Sequence, residues 1–164
     1  MAAQDNASKT YLALEDATLQ ESTALLQTIL ANTIYMYSLY KKYHWHVDGK
    51  DFYQYHLLFD KHADEQPAII DTVAERLRTL GSMAPGMPAD VEAKATLTEK
   101  TEAGHDAQKM VRNLLAAHEE YIAIVRKAVD KTDKNNDMGT NDLLVSDVLR
   151  VHELELWFIR SCVA

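Results

Sequence analysis

The chain has 164 residues, of which 47% are apolar and 26% charged, and this is the composition of one globular domain with a substantial core. The net charge of −8 disfavours general binding to nucleic acid or anionic membranes, and the single cysteine, Cys162, excludes a disulfide within the chain. Because no apolar run approaches the length of a membrane span and the first residues lack a signal-peptide pattern, we expect a cytoplasmic protein without membrane contacts.

Four long helices are predicted by apolar residues that recur at steps of three and four positions. A short polar arm, residues 1–14, precedes them. The first helix begins at a cap on Asp16 or Thr18 and continues to about His44, the second extends from Phe52 to Leu80, the third from Thr101 to Asp130, and the fourth begins at a cap on Asn141. Gly49 and Gly81 end the first two helices, as helix-breaking glycines do.

The connections between these helices are short, long and short. The long connection, residues 82–98, holds two of the three prolines and can form a short helix at Ala89–Ala95. Residues 131–140 are a polar turn. This order predicts an all-α domain over residues 1–164, a ferritin-like four-helix bundle with one long crossover connection that contains a short helix.

Pro67 lies inside the second predicted helix. An interior proline removes one backbone hydrogen bond and costs about 3 kcal/mol. We therefore expect a kink near residues 63–65 or a helix in two pieces.

Five side chains of metal-binding type lie on the second helix or just before it: His44, His56, Asp60, Asp71 and Glu75. The pairs 56/60 and 71/75 are each spaced by four residues, so each pair shares one helix face. Residues 56 and 71 are separated by roughly 22 Å along a helix, whereas metal–ligand bonds are about 2 Å long. Within one chain the two pairs cannot hold the same ion. Either they are two weak half-sites, or an antiparallel two-fold pairing of chains brings Asp71 and Glu75 of one copy to the histidines of the other.

These residues also have an ordinary structural interpretation, in which the carboxylates form a solvated charged face and the histidines are packing residues. Imidazole and carboxylate ligands suit Fe(II), and they suit zinc as well. The spacing alone therefore leaves both the site and its metal open.

The region resembles a known family at more than ten positions. The pattern H-W-x-V-x-G-x-x-F-x-x-x-H, followed by D-x-x-A-E-R and a glycine five residues later, is similar to the signature of the Dps family of miniferritins. Its residues are His44, Trp45, His46, Val47, Asp48, Gly49, Phe52, His56, Asp71, Ala74, Glu75, Arg76 and Gly81. The stretch FYQYHLLFDKHADEQ is similar to the cyanobacterial branch of that family.

The resemblance implies a homo-dodecameric shell that oxidises Fe(II), preferentially with hydrogen peroxide, and stores the ferric product inside. It places iron ligands on His44, His56 and Asp60 of one chain and on Asp71 and Glu75 of its partner. It also places Trp45 near the site, where the indole can absorb oxidising equivalents or can simply pack at the interface. Arg76 is expected to pair with a carboxylate.

Other side chains have a functional and a structural interpretation. His62 and His152 are further candidate ligands, or buried histidines with polar partners, Glu153 being the carboxylate beside His152. His46 and His118 are expected to be packing residues. Four aspartates around the last turn form a charged loop or, by the resemblance, line an acidic pore that concentrates cations: Asp130, Asp133, Asp137 and Asp142.

Some members of the family bind DNA through lysine-rich arms, but here Lys9 is the only base among residues 1–16. Together with the net charge of −8, this predicts that DNA binding is weak or absent. The leading hypothesis is a ferroxidase that protects against oxidative stress. The alternatives are a DNA-condensing shell, and a shell that buffers zinc or another metal without redox turnover.

Overall fold

The computed structural model describes residues 11–163, and within that range it contains helices and no β-strand. The helices are α1 Asp16–His46, α2 Phe52–Thr79, α3 Pro88–Lys94, α4 Ala107–Lys134, α5 Met138–Leu143, a π-helical turn at Leu144–Leu149, and α6 Arg150–Ser161. The segment α5–π–α6 is one continuous helical rod, so the predicted four-helix bundle with one crossover is confirmed. None of the helices in residues 11–163 combines the length and apolarity needed to cross a bilayer. Most of the polar arm, residues 1–10, lies outside the described residues.

Asn32, a buried side chain of α1, binds the end of the long crossover between α2 and α4. The amide oxygen of Asn32 accepts hydrogen bonds from the backbone N–H groups of Thr96 (2.8 Å) and Leu97 (3.2 Å), and its amide nitrogen donates to the Thr96 hydroxyl. Backbone groups that would otherwise be buried without a partner are satisfied in this way. Asn32 therefore fixes the end of the crossover against the bundle.

Two predicted helix starts were wrong because different residues cap the helices. The third long helix begins at Ala107 and not at Thr101, since the Asp106 carboxylate accepts from the N–H groups of Gln108 and Lys109. The last helical rod begins at Met138, where Asp137 caps it, rather than at Asn141. The predicted polar turn is correspondingly shorter, because α4 continues to Lys134. At the first helix, Asp16 is the first helical residue and Glu15, not Asp16 or Thr18, occupies the cap position, without a side-chain cap hydrogen bond.

The helix α2 is unbroken through Pro67, so the expected division into two pieces was wrong. Pro67 lies on the exposed face of α2. Pro67 has no N–H to donate to the Ala63 carbonyl, and this one missing hydrogen bond does not end the helix. Residues on both sides of Pro67, such as His62 and Ile69, remain in the core.

Candidate metal centre

His44 and His56 form the centre of the predicted site. The end of α1 and the start of α2 bring their rings into a stack with centroids 3.8 Å apart. Each ring binds the backbone of the other residue: Nδ1 of His44 is 2.9 Å from the His56 carbonyl oxygen, and Nδ1 of His56 is 2.9 Å from the His44 carbonyl oxygen. A carbonyl only accepts, so both Nδ1 atoms carry the proton, and in each neutral ring Nε2 presents its lone pair. This reciprocal pairing orients two imidazoles as ligands.

Asp60 lies beside this pair, one helical turn after His56. Its Oδ1 is 3.7 Å from Nε2 of His44 and 2.6 Å from Nζ of Lys41. The hydrogen bond from Lys41 holds the pKa of Asp60 below its ordinary value, so the carboxylate is ionised. The chain thus brings His44, His56 and Asp60 together, with an ammonium group bound where a metal cation would compete for the same oxygen.

Asp71 and Glu75 are not part of this group. Both are exposed on α2, and among residues 11–163 no hydrogen bond or ion pair holds either carboxylate. Their position further along an unbroken helix maintains the separation of roughly 22 Å expected from helical rise. Trp45 is 68% exposed in the single chain and makes no ring contact with His44 or His56.

The four loop aspartates do not share one environment. Asp130, Asp133 and Asp142 are exposed, and Asp133 and Asp142 line the same surface depression. Asp137 is 1% exposed, and it binds Arg76 at 2.7 Å while capping α5, which confirms the expected pairing of Arg76 with a carboxylate. Asp137 was therefore wrongly assigned to a pore, because its charge is neutralised inside the fold.

A second polar group lies in the middle of the bundle, and it was largely missed from the sequence. It is formed by six side chains with at most 1% exposure, which we call the core cluster: Tyr40, His62, Gln66, His118, His152 and Glu155. The partner of His152 is Glu155, three residues later, and not Glu153, which binds Arg126 at the surface. One oxygen of Glu155 lies 3.2 Å from Nδ1 of His152 and 3.6 Å from Nε2 of His118.

Burial decides the protonation of the core cluster. Burial lowers the pKa of His62 to about 4, that of His152 to about 3, and that of His118 well below its ordinary value. For His118 and His152, the charges of neighbouring histidines lower the pKa further. Burial and the neighbouring Glu65 carboxylate raise the pKa of Glu155. The cluster is therefore neutral when it is empty: its histidines are unprotonated and its glutamate is protonated.

One sequence signal could have indicated this cluster. His118 occupies a position on the apolar stripe of α4, and the spacing H-x-x-E places His152 and Glu155 on one face of α6 among apolar residues. A glutamate at a core position requires a partner. Which side chains face it depends on how the helices are rotated in the bundle, and a single sequence does not contain that information.

Comparison with known proteins agrees with the fold and the signature. A model of the ferritin-like domain matches residues 23–164. A solved structure of DpsC from Streptomyces coelicolor is 42% identical, covers 98% of this chain and 95% of its own, and superposes with a TM-score of 0.87. A low temperature-induced protein of Nostoc is 36% identical over 92% of this chain and 84% of its own length.

A third relative is the DNA protection during starvation protein 1 of Deinococcus radiodurans, which is 33% identical over 85% of this chain and 67% of its own length. The Nostoc relative agrees with the cyanobacterial branch indicated by the sequence, and the Streptomyces structure shows that the likeness is not confined to that branch. With its ferritin-like bundle, its signature residues and these relatives, the chain belongs to the Dps family of miniferritins.

Proposed function

We propose that this protein is a ferroxidase and iron store, which oxidises Fe(II) with hydrogen peroxide or oxygen between paired subunits and keeps the ferric product inside a shell of twelve chains. The iron is substrate and cargo. Each site consists of His44, His56 and Asp60 from one chain and Asp71 and Glu75 from its two-fold partner. Removing both ferrous iron and peroxide would protect the cell against oxidative stress.

The observation that carries this proposal is the reciprocal pairing of His44 and His56. Two imidazoles whose Nδ1 protons are both held by backbone carbonyls have little freedom to do anything except bind through Nε2. With Asp60 they provide three ligands on one side, so an ion bound there still has open positions. The exposed Asp71 and Glu75 supply the carboxylates that a two-fold partner would contribute.

The proposed reaction balances as a two-electron reduction of peroxide. Two ferrous ions each lose one electron, the O–O bond breaks, and two protons complete two molecules of water. Carboxylate-rich ligands favour the ferric product because they neutralise its added charge. Exposed Trp45, one residue from His44 in the chain, would donate an electron if oxidising equivalents escape the site.

Iron would reach the interior through acidic openings at the end of α4. Asp133 and Asp142, which line one depression, and the exposed Asp130 would concentrate cations there by their negative potential. The proposal includes no DNA binding, because a chain of net charge −8 repels phosphate.

The test is iron oxidation by two ligand variants, His44→Ala and Glu75→Ala, with anaerobic Fe(II) addition followed by peroxide. Both variants should lose the rapid rise of ferric absorbance while their particle size stays that of the wild type. Matched controls are His46→Ala and Glu119→Ala, which remove exposed residues of the same types. Wild-type rates in both ligand variants would refute the site. If zinc binds tightly and no variant changes oxidation, the protein is instead a metal-buffering shell.

A further inference from the structure

The core cluster has the geometry of a metal site. His118 on α4 and His152 and Glu155 on α6 each offer one ligand atom, and these atoms all lie within 4.8 Å of one another. In a tetrahedral site with bonds of about 2.0–2.1 Å, ligand atoms are about 3.3 Å apart. Glu155 Oε2 lies 3.2 Å from His152 Nδ1 and 3.6 Å from His118 Nε2, and both distances are close to that edge length.

The three side chains carry several polar atoms that the rest of the described chain leaves unsatisfied, including two of the ligand atoms, Nδ1 of His152 and Oε2 of Glu155. Within residues 11–163, both ring nitrogens of His152, Nδ1 of His118 and Oε2 of Glu155 have no hydrogen-bond partner, although all are buried. Leaving a buried polar atom unpaired costs about 1–3 kcal/mol, so several such atoms in one place are unusual in a folded protein. An ion bound between the three side chains would pair two of these atoms, Nδ1 of His152 and Oε2 of Glu155.

The surrounding side chains orient the three ligands. Gln66 donates to Oε1 of Glu155 at 2.8 Å, which directs the other oxygen toward the histidines. The Tyr40 hydroxyl lies 2.5 Å from Nε2 of His118 and 3.1 Å from Nδ1 of His62. Partners of this kind fix the ring orientation and tautomer of metal-binding histidines. Binding at Nε2 of His118 would exchange its hydrogen bond with Tyr40 for a metal bond.

Charge and access also fit a cation. Neutral imidazoles are the form that binds metals, and Glu155 would release its proton on binding. The half-buried Glu65 next to Glu155 supplies a second carboxylate, which also pairs with Lys61 at 2.7 Å. Glu65 also lines the large surface groove between α2 and α6, with Asp64 and Asp147. The acidic wall of this groove therefore reaches Glu65, which lies next to Glu155. A π-helical turn, a feature frequent at functional sites, ends three residues before His152.

We propose that His118, His152 and Glu155 bind one divalent transition-metal ion, of the Zn²⁺ or Fe²⁺ class, in the centre of each subunit. Two imidazoles and one carboxylate are ligands that both ions accept. This core site is separate from the site at His44 and His56, because no hydrogen bond or ring contact in the described part of the chain joins the two groups. His62 lies beside the core site and not beside His56, so it is an orienting residue rather than a ferroxidase ligand.

Zinc binding measures the core site without iron chemistry. Metal-free protein is dialysed against Zn²⁺, and the bound zinc per chain is determined for the wild type and for His152→Gln and Glu155→Gln, of which the latter keeps the shape of the side chain. Both variants should bind one zinc fewer per chain, or bind it more than about 100-fold more weakly, since losing even an orienting partner costs 10–100-fold. The matched control, Tyr121→Phe, removes a buried hydroxyl that bonds Thr33 and the Ile29 carbonyl and no member of the cluster, and it should keep the ion.

The core site and the interfacial site can be separated in the same assay. His44→Ala should lose zinc at the interface only, and its combination with His152→Gln should lose both contributions. Unchanged zinc content and affinity in His152→Gln and Glu155→Gln would overturn the core site, whatever the outcome of the iron oxidation assay. If these variants fail to fold, anomalous diffraction from wild-type crystals grown with zinc decides: a peak between the three side chains is expected, and its absence would refute the proposal.

Discussion

The ion pair between Arg76 and Asp137 makes a testable prediction about stability, because its two ends are not equivalent. Asp137 is 1% exposed and the Arg76 side chain 17%. Arg76 also donates from Nε to the Thr140 hydroxyl at 2.9 Å. Replacing Arg76 by methionine leaves a buried carboxylate without its counter-charge, whereas replacing Asp137 by asparagine leaves a guanidinium that can still reach water.

The expected costs follow from this asymmetry. Removing one partner of a buried pair costs about 3–5 kcal/mol, and Arg76→Met should lie near 3 kcal/mol because Asp137 keeps its bond from the Thr140 N–H. Asp137→Asn retains a cap on α5 and loses one charge-assisted hydrogen bond, for a cost of about 1.5 kcal/mol. The double variant should cost less than the sum, since the second change removes a charge that is already uncompensated.

The assay is urea unfolding followed by helical circular dichroism, at one protein concentration because subunit association adds to apparent stability. Although burial opposes it, polar contacts with Ser22 and Thr140 and the charge of Arg76 hold the pKa of Asp137 below its ordinary value. A carboxyl with a lowered pKa stabilises the fold above its unfolded-state pKa, near 3.9, and this contribution is lost as pH falls through the folded value. The gap between wild type and Asp137→Asn should therefore persist from pH 7 to pH 5 and narrow below about pH 4.

Two results would refute this reasoning. One is a larger loss for Asp137→Asn than for Arg76→Met, which would mean that the cap and not the charge pair dominates. The other is strict additivity in the double variant, within about 0.5 kcal/mol, which would mean that the two side chains are energetically independent.

Two further predictions concern the two metal centres. Lys41→Met should strengthen anaerobic Fe(II) binding by up to about fivefold, because it frees Asp60 from an ion pair worth at most about 1 kcal/mol. The control is Lys100→Met, which breaks a surface ion pair elsewhere. Weaker Fe(II) binding by Lys41→Met would mean that Lys41 positions Asp60. Metal-free wild type should lose stability as pH falls from 6.5 toward 4. His62, with a folded pKa of about 4, binds its proton mainly in the unfolded state, and Glu155, with a raised pKa, partly offsets this loss. His62→Phe should reduce the slope of the unfolding free energy against pH by about 1.4 kcal/mol per pH unit, and the control His105→Gln, at an exposed residue, should leave that slope unchanged. Equal slopes for wild type and His62→Phe would contradict a neutral buried His62.

The periodicity of the sequence was sufficient to predict the four long helices and the crossover. Apolar steps of three and four identify which face of a helix is buried, and this prediction does not depend on the neighbouring helices. The capping residues were harder to choose, because Asp106 and Asp137 compete with other polar residues nearby. Only the backbone geometry decides which of them accepts the N–H bonds.

The two proposed metal centres differ in how far the sequence could indicate them. His56 and Asp60 share a helix face by spacing alone, and the family signature adds His44. The core site joins α4 to α6. In the sequence, His118 is 34 residues from His152 and 37 residues from Glu155. Asp137 shows the same difficulty, because its partner Arg76 lies 61 positions away on another helix. Long-range pairs of this kind depend on helix rotation, which one sequence does not specify.

The central claim is that each ferroxidase site is shared between two chains, and mixed shells test it directly. The variants His44→Ala and Glu75→Ala are co-expressed at equal levels with different tags, and mixed particles are purified on both tags. In a mixed pair, one site carries both changes and the other carries none. With random pairing, about half of the pairs are mixed, so about one quarter of all sites are intact. Two inactive proteins should therefore together recover about one quarter of the wild-type rate of peroxide-dependent Fe(II) oxidation. Mixed shells as inactive as either variant alone would contradict the shared site.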